Sequence, residues 1–167
     1  MKRRALLGLT LAPAAAAQGE FPARIEAGGR SLALNGIGSR LYSVFAVEVY
    51  RAALYLEAPS RDAAAILASA APRLVIVRYL REVPLRGVQA AWEETLGPMP
   101  PEFLAWLRAL GASDEERFLF LPDGVALQAT GRPALRVPGA AFSRRLLESW
   151  IGARAPTETL RRGLLAG

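Results

Sequence analysis

Residues 35–56 read NGIGSRLYSVFAVEVYRAALYL, and the fold follows from how this stretch is read. After the glycines, the run from Leu41 to Leu56 is rich in β-branched and aromatic residues, which suit a pleated, half-buried strand. The opening Asn35 to Gly38 predicts a glycine-broken turn leading into it. Within the run, Arg40 and Tyr50 are polar groups among apolar neighbours. A buried cation without a partner is too costly to keep. The pair therefore predicts a site for an anionic or oxygen-rich ligand.

The flanking sequence extends the strand pattern. Upstream, Arg24 to Ala27 and Arg30 to Leu34 read as two short strands around a tight Gly28-Gly29 turn. Downstream, Pro59 and Ser60 end the run, and Ser60 is expected to cap a small helix reaching Ala70. Arg73 to Leu80 reads as a further strand. Leu74, Ile76 and Leu80 mark one face and Val75, Val77 and Tyr79 the other, so both faces are expected to be covered. Arg78, on the Leu74/Ile76 face, is expected to reach solvent at the strand end.

Two helices are predicted at Pro84 to Leu96 and Pro100 to Leu110, parted by Gly97-Pro98. Val88, Trp92 and Leu96 recur every four residues in the first, and Phe103, Leu107 and Leu110 line the second, as packing stripes do. Glu93 and Glu94 are adjacent and point about 100° apart on a helix, so they form no facing carboxylate pair. Asp114-Glu115-Glu116 is expected to be a surface turn. Arg117 to Leu121, Val125 to Thr130 and Ala134 to Val137 then read as strands joined by Pro122-Asp123-Gly124 and Gly131-Arg132-Pro133. Helices at Ala140 to Ile151 and Pro156 to Leu165 close the chain, with Phe142, Leu146 and Trp150 on one face of the former. Short strands joined by hairpins predict an α+β fold, an antiparallel sheet with a layer of helices packed on one face.

The N-terminus is read separately. Lys2, Arg3 and Arg4, the apolar run Ala5 to Pro13, and Ala15-Ala16-Ala17 have the layout of a secretory signal peptide. Cleavage is expected after Ala17, leaving one domain over residues 18–167, periplasmic or secreted. The apolar run is too short to span a bilayer, and no transmembrane segment is expected in the mature chain. Without the three leading cations, 18 arginines face 15 acids. So weak an excess, with no dense basic stripe, argues against a nucleic-acid partner.

The chain contains no cysteine and no histidine. Ser-His-Asp and Cys-His catalysis are therefore excluded, along with thiolate and imidazole metal ligation. No metal or other cofactor is expected. Chemistry here must come from carboxylates, arginine, tyrosine, hydroxyls and the backbone.

Asn35-Gly-Ile-Gly-Ser-Arg40, then Val49-Tyr50-Arg51-Ala52-Ala53-Leu54-Tyr55-Leu56, and later Leu146-Leu147-Glu148-Ser149-Trp150-Ile151-Gly152, together resemble the chalcone isomerase-like domains. The resemblance runs over about residues 20–166. It implies an antiparallel sheet against helices, with a ligand cleft between them. The family's cleft arginine corresponds to Arg40. Its strand hydroxyl residue, threonine in the plant enzymes and tyrosine in fatty-acid-binding relatives, corresponds to Tyr50. The hydroxyl residue on the late helix corresponds to Ser149, followed by Trp150 where the enzymes carry a smaller apolar residue. The tyrosine and asparagine that the enzymes use fall at Val88 and Thr95, which leaves the catalytic set incomplete.

The expected function is binding of an amphipathic carboxylate such as a fatty acid, with Arg40, Tyr50 and Ser149 as ligand-binding residues and no catalytic residues. A guanidinium can fork onto a carboxylate while a phenol adds a third hydrogen bond. Two alternatives stand beside it. One is a chalcone–flavanone type isomerase, an intramolecular lyase acting on an enone. The other is a structural or protein-interaction domain in which Arg40 is ion-paired with Glu48.

Overall fold

Seven strands run in simple sequence order: β1 (Arg24–Ala27), β2 (Arg30–Tyr42), β3 (Val47–Leu56), β4 (Arg73–Tyr79), β5 (Glu115–Leu121), β6 (Gly124–Ala129) and β7 (Arg132–Pro138). Each pairs antiparallel with the next, forming one curled sheet. The computed structural model describes residues 20–42 and 45–167. The expected signal segment lies outside the described residues. Five helices accompany the sheet among them: α1 (Ala63–Ala68), α2 (Leu85–Leu96), α3 (Pro101–Trp106), α4 (Ala140–Ile151) and α5 (Glu158–Leu164). None is long and apolar enough to cross a membrane. The α+β reading is correct.

Strand alternation decides which side chains meet the helices. Ala52, Leu54 and Leu56 of β3, Val75, Val77 and Tyr79 of β4, and Phe118 and Phe120 of β5 enter the main core with the helical residues. On the other face Ala53, Tyr55, Leu74 and Ile76 form a smaller core with Leu32, closed by Phe21. The central position expected for β4 follows from these two covered faces. Arg78 ends on the second face, its guanidinium 4.8 Å over the Phe21 ring and 2.8 Å from Glu115.

The glycine-broken turn expected at Asn35 to Gly38 does not exist. These residues lie inside the thirteen-residue β2, and the glycines serve a close approach. A Cβ at Gly36 would lie 2.1 Å from the Gly163 carbonyl oxygen, and one at Gly38 would lie 2.2 Å from that of Leu160. Helix α5 therefore rests backbone to backbone on β2. Asn35 fastens the same junction. Its amide donates to the carbonyls of Leu164 (2.8 Å) and Ser60 (3.0 Å) and accepts from the Ser60 N–H (2.7 Å). Several boundaries also shift, among them the start of β7 at Arg132 and of α5 at Glu158. Asp62, not Ser60, caps α1 by accepting from the Ala65 N–H at 3.1 Å, and α3 ends at Trp106.

A larger correction concerns Glu115 and Glu116, which belong to β5 rather than to a surface turn. Glu116 shares the alternation of Phe118 and Phe120 and is 1 % exposed. Polarity predicts exposure only where no partner waits inside, and here two do.

Candidate ligand-binding site

The β2–β3 register sets Arg40 directly across from Tyr50, so both side chains share the face that the helices cover. A register shift follows between Arg40 and Leu41, and it sends Glu48 to the other face. There Glu48 accepts from Ser39 and from Arg51, at 2.5 Å and 2.8 Å. The hydrogen bond from Arg51 first, and that from Ser39 second, hold its carboxyl below the ordinary range. The Arg40–Glu48 pair of the structural alternative is thus replaced by Arg51–Glu48. Arg40 instead donates from Nη1 to the carbonyl of its neighbour Leu41, at 2.8 Å.

Tyr50 packs edge-on against Tyr79, with ring centroids 5.5 Å apart, and against Trp150, at 5.9 Å. Burial pushes its phenol well above the usual tyrosine value, and the positive charge of Arg40 opposes only part of that. Tyr50 is therefore a neutral donor across the physiological range. Its hydroxyl has no hydrogen-bond partner among the described residues.

Behind Tyr50 lies a polar cluster that sequence reading missed. The Tyr79 hydroxyl donates to Glu116 Oε2 at 2.9 Å, and Arg132 Nη2 closes an ion pair on Glu116 Oε1. The Arg132 guanidinium stacks 3.9 Å over the Trp106 ring and donates to the Trp106 carbonyl at 3.3 Å. Burial, then the Glu116 charge, keeps the Tyr79 phenol well above its usual value. The available signal was the spacing of Glu116, Phe118 and Phe120 in a strand period. The cluster is internally satisfied and offers a rigid wall to Tyr50.

Ser149 does not join Arg40 and Tyr50 through its hydroxyl. It is buried and donates to the Leu146 carbonyl one turn back on α4, at 2.6 Å. The next residue, Trp150, is the one that α4 turns toward Tyr50. Trp150 is 3 % exposed, and its Nε1 has no hydrogen-bond partner. Two other buried nitrogens, Nε of Arg73 and of Arg145, share that state. Each of those guanidinium groups, however, bonds a carbonyl through another nitrogen. The indole has a single donor and no such recourse.

Helix α2 supplies no polar head to the site at the two positions of interest. Val88 is buried in the core, and the Thr95 hydroxyl is spent on the Ala91 carbonyl at 2.8 Å. Between them Trp92 packs on Trp150 (5.9 Å), Phe103 (5.7 Å) and Phe118 (6.1 Å). The site thus offers a cation, a neutral phenol, an unsatisfied indole N–H and aromatic walls. Such groups are chemically able to hold an oxygen-bearing ligand. Among the described residues, no three acids gather where a metal ion could be held.

A separate concavity of about 220 Å³ lies on the opposite face of the sheet, between Ile25, Leu74, Leu119 and Ala126, with Arg117 and Gln128 at its border. Arg117 there is bonded to Glu115 at 2.6 Å.

Comparison with known proteins agrees with this architecture. No curated protein matches the chain. Among solved structures, a fatty-acid binding protein of Arabidopsis thaliana is similar, with a TM-score of 0.67 and 16% sequence identity. The match covers 87% of this chain and 90% of that one. At that identity the likeness concerns the fold. The profile described as chalcone isomerase-like matches residues 14–166, nearly the whole chain, and the protein belongs to the chalcone isomerase-like family.

Proposed function

We propose that this protein binds an amphipathic carboxylate, of which a fatty acid is the natural example, without transforming it. The observation that carries the reading is Arg40 set across from a partly buried, neutral Tyr50 whose hydroxyl has no hydrogen-bond partner among the described residues. A guanidinium and a phenol side by side match the two oxygens of a carboxylate. The ligand's apolar part would meet the partly exposed Trp92, which packs on the buried Trp150 and Phe118, in keeping with apolar sites that carry few polar groups. That a protein of the same fold is a fatty-acid binding protein supports the assignment. Valine at position 88 and a self-bonded Thr95 weigh against isomerase chemistry, which needs further positioned donors for the developing enolate. The basic head and apolar run at the N-terminus support export to the periplasm or beyond.

Mass spectrometry of lipid extracts from purified protein, with titration of palmitate followed by tryptophan fluorescence, tests the reading. Co-purified fatty acids and saturable binding, weakened in Arg40→Ala, are expected. Absence of both overturns it, as does turnover of a chalcone above the spontaneous rate that is lost in Arg40→Ala.

A further inference from the structure

A buried donor with no acceptor is uncommon and costly in a folded protein. Trp150 Nε1 is such a donor. Its ring is fixed from several sides, by Tyr50 at 5.9 Å, Trp92 at 5.9 Å and Phe118 at 5.7 Å. The packing therefore holds the N–H in place rather than letting the ring turn toward water. The rings of Trp92 and Phe118 offer it no acceptor oxygen. The neighbouring Tyr50 carries a hydroxyl with no partner among the described residues and lies across from Arg40, whose Nη1 alone is bonded, to the Leu41 carbonyl.

We propose that the indole N–H of Trp150 is the third ligand-binding donor of this site, supplied by α4 in place of the Ser149 hydroxyl, and that it takes an acceptor oxygen of the bound ligand. This rests on the carboxylate-binding reading above and sharpens its ligand class. Arg40 supplies charge, whereas Tyr50 and Trp150 are neutral donors. An indole can only donate. The ligand's buried end must therefore present at least one bare oxygen lone pair to α4, as a carboxylate or carbonyl does, walled by aromatic faces. The orphan donor is satisfied only when that oxygen arrives, so the site is preorganised at the expense of the empty state.

The test uses the full-length protein with palmitate as probe. Indole N–H resonances of the three tryptophans are recorded with and without palmitate, and Trp150 is assigned by its loss in Trp150→Phe. The expected result is a downfield shift and slowed exchange of the Trp150 signal alone on saturation. Palmitate affinity in Trp150→Phe, which keeps an aromatic ring in the stack, is expected to fall about tenfold, the usual worth of one hydrogen bond to a charged group. An unmoved Trp150 resonance at saturating palmitate overturns the proposal even if the variant folds poorly. Full affinity in a folded Trp150→Phe overturns it too. If the wild-type protein binds no palmitate at all, the broader carboxylate reading fails instead, and the two failures are told apart.

Discussion

Replacing Glu116 by leucine isolates the energetics of the buried cluster. Glu116 is 1 % exposed and the Arg132 side chain 7 % exposed, so neither charge has water to fall back on. The substitution leaves the Arg132 guanidinium buried without its carboxylate and the Tyr79 hydroxyl without its acceptor at 2.9 Å. Breaking a buried ion pair from one side costs about 3–5 kcal/mol. The Trp106 ring and carbonyl still hold Arg132, which favours the lower end, about 3 kcal/mol. For a domain of this size that corresponds to a drop in Tm on the order of 10 °C. The pair itself is a different matter. Glu116→Leu with Arg132→Met removes both charges together, and apolar replacements of buried pairs are often close to neutral. Urea denaturation of wild type, both single variants and the double variant gives the coupling through a double-mutant cycle. Most of the Glu116→Leu loss should be recovered in the double variant. The reasoning is refuted if the two losses simply add, or if Glu116→Leu alone costs less than about 1 kcal/mol.

Further outcomes follow from the same contacts. Tyr50→Phe removes a hydroxyl that bonds nothing among the described residues, so stability by thermal denaturation should hold within about 0.5 kcal/mol while palmitate affinity falls in titration. Gly38→Ala puts a methyl 2.2 Å from the Leu160 carbonyl oxygen. It should displace α5 and cost more than about 2 kcal/mol, visible as early hydrogen exchange in Glu158–Leu164. Tyr50, Tyr55 and Tyr79 all carry raised phenols, that of Tyr55 to about 12 through burial first. The neutral forms are favoured by the fold, so their contribution is complete below about pH 10 and is lost as pH rises beyond it. Stability should then fall by roughly 1.4 kcal/mol per pH unit for each tyrosine that ionises only when unfolded, measured by urea midpoints between pH 9 and 11. Glu115 behaves in the opposite sense. Burial raises its carboxyl, but the hydrogen bonds and charges of Arg78 and Arg117 together outweigh that and lower it, so its contribution is present at neutral pH and disappears as pH falls below the usual carboxylate range. Glu115→Gln should flatten that acid limb.

The amino-acid sequence by itself determined the elements and the sheet. Strand alternation in Arg73 to Leu80, with both faces apolar, and the Pro122-Asp123-Gly124 hairpin are local signals read over a few residues. They sufficed for an antiparallel α+β fold, and Arg40 and Tyr50 stood out because each is a polar group within an apolar run. What the tertiary structure decided depends on neighbours far away in the chain. Gly36 and Gly38 read as a turn because glycine permits one, yet they are extended strand residues cleared for α5. Asn35 meets Leu164 across 129 positions. Glu116 looked like solvated charge until Tyr79 and Arg132 were seen to enclose it. Helix α4 carries Ser149 and Trp150 side by side, about 100° apart around its axis, and no local pattern says which one faces Tyr50. Packing makes that choice, because burial of the large indole against Trp92 and Phe118 fixes the rotation of the helix. The serine is left to bond its own backbone, and the indole ring lies beside Tyr50 with its buried N–H without an acceptor.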